Sequence, residues 1–167
     1  MYLKAVSLTL LFVSIVQEPT LVPRYIPPPP EQPLPFSHKD HLALSLECQI
    51  CHVMPEPGHF ATLPDSATCM ACHDQILTES PAIHQLADFH KREEAVPWIR
   101  VYRIPDYVFF SHQEHVKRAN IACEVCHGPV REMEQMQKVK DISMAACIDC
   151  HRQKEASIDC DFCHDPL

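Results

Sequence analysis

The sequence predicts a mainly helical fold with much irregular structure, in which something other than polypeptide supplies most of the core. Three observations predict it. The motif C-x-x-C-H occurs five times, at Cys48-Cys51-His52, Cys69-Cys72-His73, Cys123-Cys126-His127, Cys147-Cys150-His151 and Cys160-Cys163-His164, and these copies use all ten cysteines. The pattern F-S-H-x-x-H occurs twice, from Phe36 to His41 and from Phe110 to His115, and each copy precedes two C-x-x-C-H runs. Sixteen prolines break a chain of 167 residues, leaving few long periodic segments for a protein-only core.

C-x-x-C-H is the attachment signature of a c-type haem: two thioethers fix the porphyrin edge and the adjacent imidazole reaches the iron. Five disulfides would give no reason for a histidine after every second cysteine, and a zinc ribbon takes its further ligands from a distance. Five covalently bound c-type haems are therefore expected. Their macrocycles are large apolar plates, so the predicted class is a small haem-dominated multihaem cytochrome c, made of two duplicated dihaem modules plus a C-terminal fifth haem.

The elements follow in order. Residues 1–16 carry Lys4 and then twelve uncharged, mostly apolar residues, Ala5 to Val16. A span needs about 20 residues, so this run reads as a signal peptide or an N-terminal anchor, and either implies export. Residues 17–35 are a Pro-rich tether; eight prolines lie between Glu18 and Pro35, and extended polyproline II makes such a stretch semi-rigid. Residues 36–167 form the pentahaem domain, with halves at about 36–92 and 110–167, an internal repeat of period near 74. Both F-S-H-x-x-H copies are expected to open short helices, the second through a capping box of Ser111 and Glu114. Asp74 to Arg92 reads as a helical connector with Ile76, Leu77, Ile83, Leu86, Ala87 and Phe89 on its apolar side. Val96 to Phe110, rich in β-branched and aromatic residues, reads as extended and suited to packing on haem edges.

The histidine census assigns the iron ligands. Of twelve histidines, five are proximal: His52, His73, His127, His151 and His164. His38 and His41 are three apart on one helical face, their Cβ atoms about 5–6 Å apart, so they point the same way and cannot bracket one iron. Each must serve a different haem, and the same holds for His112 and His115. The 160–164 haem lacks such a pair. Its distal ligand is open among Met144 as first choice, Met133, Met136, a first-half histidine (His59 foremost) or none; His84 and His90 read as exposed connector residues.

The F-S-H-x-x-H plus C-x-x-C-H arrangement resembles the class III multihaem cytochromes c. More specifically, Val96-Pro97-Trp98-Ile99-Arg100-Val101-Tyr102, Val108-Phe109-Phe110-Ser111-His112, Cys126-His127-Gly128-Pro129-Val130 and the run from Met144 to Arg152 are similar to the pentahaem subunit of alternative complex III and its free-standing relatives. The likeness spans about residues 34 to 164. The chain differs from that subunit in its short N-terminal segment. The resemblance implies a pairing order in which the first clasp histidine serves the haem that follows and the second serves the next. His38 would then ligate the 48–52 haem, His41 the 69–73 haem, His112 the 123–127 haem and His115 the 147–151 haem.

The formal charge of −8 argues against nucleic acid and against direct binding to anionic lipid. Two glycines leave no phosphate-cradling loop. A globule of this length has a radius of gyration of roughly 15 Å, so five porphyrins inside it must lie nearly in contact. The expected function is electron transfer, not enzymatic conversion: a periplasmic or other extracytoplasmic carrier within or downstream of a respiratory quinol-oxidising chain. Its expected partners are redox proteins, such as another cytochrome or a membrane quinol-oxidising complex, with membrane association possible through the N-terminal segment. Rival expectations are a multihaem reductase with an open fifth haem and a subunit of an extracellular haem polymer.

Overall fold

The computed structural model describes residues 26–165. The expected signal peptide or anchor at 1–16, and the first part of the tether, lie outside the described residues. Among the described residues no strand forms and no helix is long and apolar enough to cross a membrane. Helices and turns carry the chain: α1 (His38–Ala43), α2 (Cys48–Cys51), α3 (Ser66–His73), α4 (Pro81–Lys91), a π-helical turn (Gln113–Arg118), α5 (Cys123–His127), a 3₁₀ turn (Val130–Glu132), α6 (Met144–Gln153) and α7 (Cys160–Cys163).

Three helices start where the sequence supplies a side-chain cap. Ser37 Oγ accepts from the Asp40 amide at the start of α1, Asp65 Oδ1 accepts from the Thr68 amide at α3, and Ser143 Oγ accepts from the Ala146 amide at α6. The connector helix is shorter than the sequence suggests. It begins at Pro81, placed at the first helical position after Ser80, and residues 74–80 are turns. Half of the expected capping box at 111–114 forms. The Glu114 amide donates to Ser111 Oγ at 3.3 Å, while the Glu114 carboxylate pairs with Arg118 at 3.0 Å. The turn then widens, and the Ala119 amide donates to the Glu114 carbonyl, a π-type bond.

Helix ends show a consequence of having almost no glycine. Ser45, Glu93, Asn120 and Glu155 each follow a helix's last residue with φ between 51° and 62°, the left-handed conformation that glycine adopts without strain.

The stretch 96–110 forms no strand. Pro97 and Pro105 lack amide donors, and no neighbouring strand offers a ladder. Its backbone groups find single distant partners instead. Ile99 exchanges two hydrogen bonds of 2.9 Å with the Gln32 side chain, and Val108 makes an isolated antiparallel bridge with His164. The Gln32 pair seats the end of the Pro-rich segment on the body, where Leu34 is buried.

Only Leu34, Leu86 and Val96 are buried apolar side chains among the described residues; they collect where α3 packs on α4, with Trp98, Phe89 and Met70 around them. Burial of so few apolar groups cannot offset the ordering entropy of the chain. Large apolar side chains beside the C-x-x-C-H runs, among them Ile50, Val53, Ile76, Val125 and Phe162, are exposed.

Candidate functional site

The C-x-x-C-H runs are numbered here as sites I (48–52), II (69–73), III (123–127), IV (147–151) and V (160–164). In each, the two cysteines begin and end one helical turn and so share a face, and the histidine follows at once. No two of the ten cysteines are joined in a disulfide.

The two F-S-H-x-x-H copies fold alike around their phenylalanines. Phe36 stands edge-on to His38 at 4.9 Å and stacks on His41 at 4.4 Å; Phe110 stands edge-on to His112 at 4.9 Å and stacks on His115 at 4.5 Å. The aromatic ring thereby holds its two histidines splayed toward different places.

Those places are the sites. His38 faces His52 of site I with ring centroids 6.3 Å apart, His41 faces His73 of site II at 6.1 Å, and His115 faces His151 of site IV at 6.1 Å. Two imidazoles bound through Nε2 on opposite sides of one iron, with bonds of about 2.0–2.1 Å, hold their centroids roughly 6.3 Å apart. Their planes are free to turn about the shared axis, so the interplanar angles of 11°, 62° and 32° all suit that arrangement. His112 lies close enough to His127 of site III to lower its pKa, after burial as the larger cause.

The Nδ1 atoms say which nitrogen is left for iron. A carbonyl only accepts, so each Nδ1 that meets one must carry the proton, leaving Nε2 as the lone-pair donor. His41 donates to Ser37 O at 2.7 Å, His115 to Ser111 O at 2.8 Å, and His112 to His59 O at 3.0 Å. On the proximal side, His52 donates to Thr62 O at 2.8 Å, His73 to Ile76 O at 3.2 Å, His151 to Ser157 O at 2.6 Å and His164 to Tyr107 O at 3.1 Å. His38 and His127 are the exceptions: no such bond holds His127, and His38 Nδ1 is buried without a partner. Burial, followed by the neighbouring His52 and His41, lowers the His38 pKa to about 4, so the imidazole is neutral at pH 7 as metal ligation requires.

Sequence reasoning missed the groups that orient these rings, because most are backbone carbonyls, which no residue type marks. It also missed Tyr102. Its hydroxyl accepts from the Val139 and Lys140 amides at 3.0 and 3.1 Å, and its ring stands edge-on to His127 at 4.7 Å, fixing the loop around site III. Of the residues considered for the fifth iron, Met144 opens α6 and is 67% exposed, and His59 is exposed with its carbonyl engaged by His112. Across from His164 the ring contact is Tyr107, at 6.1 Å. Both connector histidines, His84 and His90, are exposed, and His90 Nδ1 also meets Ser66 Oγ at 3.2 Å.

The donor set therefore fits covalently held haem iron: cysteine pairs on single turns, facing imidazoles at the axial spacing, and exposed apolar surface where a porphyrin would cover it. Such a donor set is the one a multihaem c-type cytochrome needs. Residues 108–165 match the family model described as cytochrome c7 and related cytochrome c. The chain is also similar to the multihaem cytochrome c subunit of menaquinone reductase from Nitratidesulfovibrio vulgaris (strain Hildenborough), at 32% identity over 136 residues, 80% of this chain and 51% of that one. The chain thus spans about half the length of this curated relative.

Proposed function

We propose that the protein is an exported electron carrier that holds five c-type haems through sites I to V, with neighbouring haems close enough to pass electrons among them. The observation that carries this reading is the facing of His38 with His52, His41 with His73 and His115 with His151 at 6.1 to 6.3 Å. When bound, the haems supply one-electron ferric/ferrous chemistry. The chain's own residues do the rest. Cysteine pairs at each site fix the porphyrin edge, and His52, His73, His127, His151 and His164 are the proximal ligands. His38, His41, His112 and His115 would be the distal ligands at sites I, II, III and IV, and Met144, or else His59, would serve site V. Iron held on both sides in this way would be closed to outside ligands and left with outer-sphere electron transfer. The duplicated halves at 36–92 and 110–167 each contribute one clasp and two sites, with site V appended.

The relative's name couples a multihaem cytochrome c subunit with menaquinone reduction. With the acidic charge of this chain, that supports a place beside a membrane quinone-reactive complex or a second cytochrome, on the extracytoplasmic side. A second reading, a reductase with an open iron, draws on the absence of a facing histidine for His164 among the described residues. Whole-protein mass and reduced-minus-oxidised spectra with and without carbon monoxide decide. Five haems and no carbon monoxide complex are expected. A stoichiometric complex at one haem would sink the pure carrier, and a mass short of five haems would sink the site count.

A further inference from the structure

We infer that the five sites are strung in space in the order II, I, III, IV, V, so that II and V are the two ends at which partner redox proteins exchange electrons. This rests on the five-haem reading above. Chain order alone would suggest a path from II to III; the contacts join I to III instead.

Each step has its own connection. Sites II and I share the first clasp, whose His41 and His38 face His73 and His52. The second clasp joins sites III and IV: His115 faces His151, and its carbonyl accepts from the Ile121 amide at 2.9 Å just before Cys123. Site IV leads directly to V, because His151 is held by the Ser157 carbonyl just before Cys160, and V is tied back by the Phe109 amide donating to the Cys163 carbonyl at 2.8 Å.

The step between I and III is an exchange. The loop that follows site I receives the second clasp: Gly58 O accepts from the Gln113 amide at 3.0 Å and from Ser111 Oγ at 3.4 Å, and His59 O accepts from His112. The loop that follows site III receives the first clasp: Met133 O accepts from the Lys39 amide at 3.0 Å, and Glu134 takes both Lys39 Nζ and Ser37 Oγ. Each half therefore positions a distal histidine for itself on a loop of the other half, which forces I and III together. The cysteines follow the same order where the halves meet: the Cys48 side chain of site I lies within hydrogen-bonding reach of Cys123 of site III.

Transfer along this order moves one electron at a time, the donor iron going from ferrous to ferric as the next goes from ferric to ferrous, with redox proteins as outside donor and acceptor. The test uses the intact holoprotein, its haem methyl resonances assigned and followed by NMR through a potentiometric titration with dithionite. Interaction between charges weakens with distance, so oxidation of site I should shift site III roughly twofold or more beyond the shift that site II produces. A II–III interaction equal to or larger than the I–III interaction would overturn the order. Whole-protein mass on the same sample tests the haem count separately, so five haems with II–III strongest would reject the order alone.

Discussion

His38 and His112 occupy equivalent places in the two F-S-H-x-x-H copies, yet their Nδ1 atoms meet different surroundings. His112 donates to the His59 carbonyl at 3.0 Å, whereas His38 Nδ1 is buried without an acceptor. A ligand imidazole that donates its far N–H becomes more basic and favours the ferric state. On the proximal side the difference reverses, since His52 of site I donates to the Thr62 carbonyl at 2.8 Å while no such bond holds His127 of site III, so site-resolved redox titration should show the two haems oxidised together; one oxidised well before the other would refute this balance. The second clasp histidine gives a spectroscopic prediction. His41→Ala removes the ring facing His73 at 6.1 Å, so the site II haem should turn high-spin while site I stays low-spin. Electron paramagnetic resonance of the oxidised variant, with assigned haems, reads this directly, and a high-spin site I would overturn the pairing.

At the scale of elements, helix ends carry strain that the composition explains. With two glycines in 167 residues, the chain closes helices on Ser45, Glu93, Asn120 and Glu155 in the left-handed conformation. A non-glycine residue there costs roughly 1–2 kcal/mol, partly offset by glycine's extra freedom when unfolded. Glu93→Gly, at φ 55° beyond α4, should stabilise the holoprotein by about 0.5–1 kcal/mol, seen as a higher Tm in thermal unfolding. A lower Tm would show that Glu93 makes contacts worth more than the strain. The two glycines present are placed where space, not only conformation, demands them. A Cβ on Gly58 would meet the Gln113 side chain, and one on Gly128 would meet Val139, so both loops that receive clasps depend on a missing side chain.

At the scale of the whole molecule, the buried apolar core is Leu34, Leu86 and Val96 among the described residues. The polypeptide supplies a frame and the haems must supply the interior. Protein made without haem attachment should therefore lack a cooperative thermal transition by circular dichroism, while the holoprotein shows one. A cooperative transition in the apoprotein would mean that the frame is stable alone. The reciprocal seating of clasps extends the same logic, since neither half completes its site I or III environment without the other's loop.

Much of this was legible in the residues. Covalent attachment demands cysteine pairs and an adjacent histidine at invariant spacing, so the sequence alone marked the five proposed attachment sites and the two F-S-H-x-x-H copies that precede four of them. A short helix opening at the first F-S-H-x-x-H copy was expected and starts after Ser37, whose hydroxyl accepts from the Asp40 amide. The extent of α4, the absence of a strand at 96–110, the carbonyls that orient the imidazoles, the role of Tyr102 and the crossing of clasps between halves were not legible. These depend on which distant backbone groups meet, and backbone groups are the same at every residue. The tertiary structure alone decided that the first clasp rests on the loop after site III and the second on the loop after site I, because only a folded chain brings residues 39 and 133, or 58 and 113, within hydrogen-bonding distance.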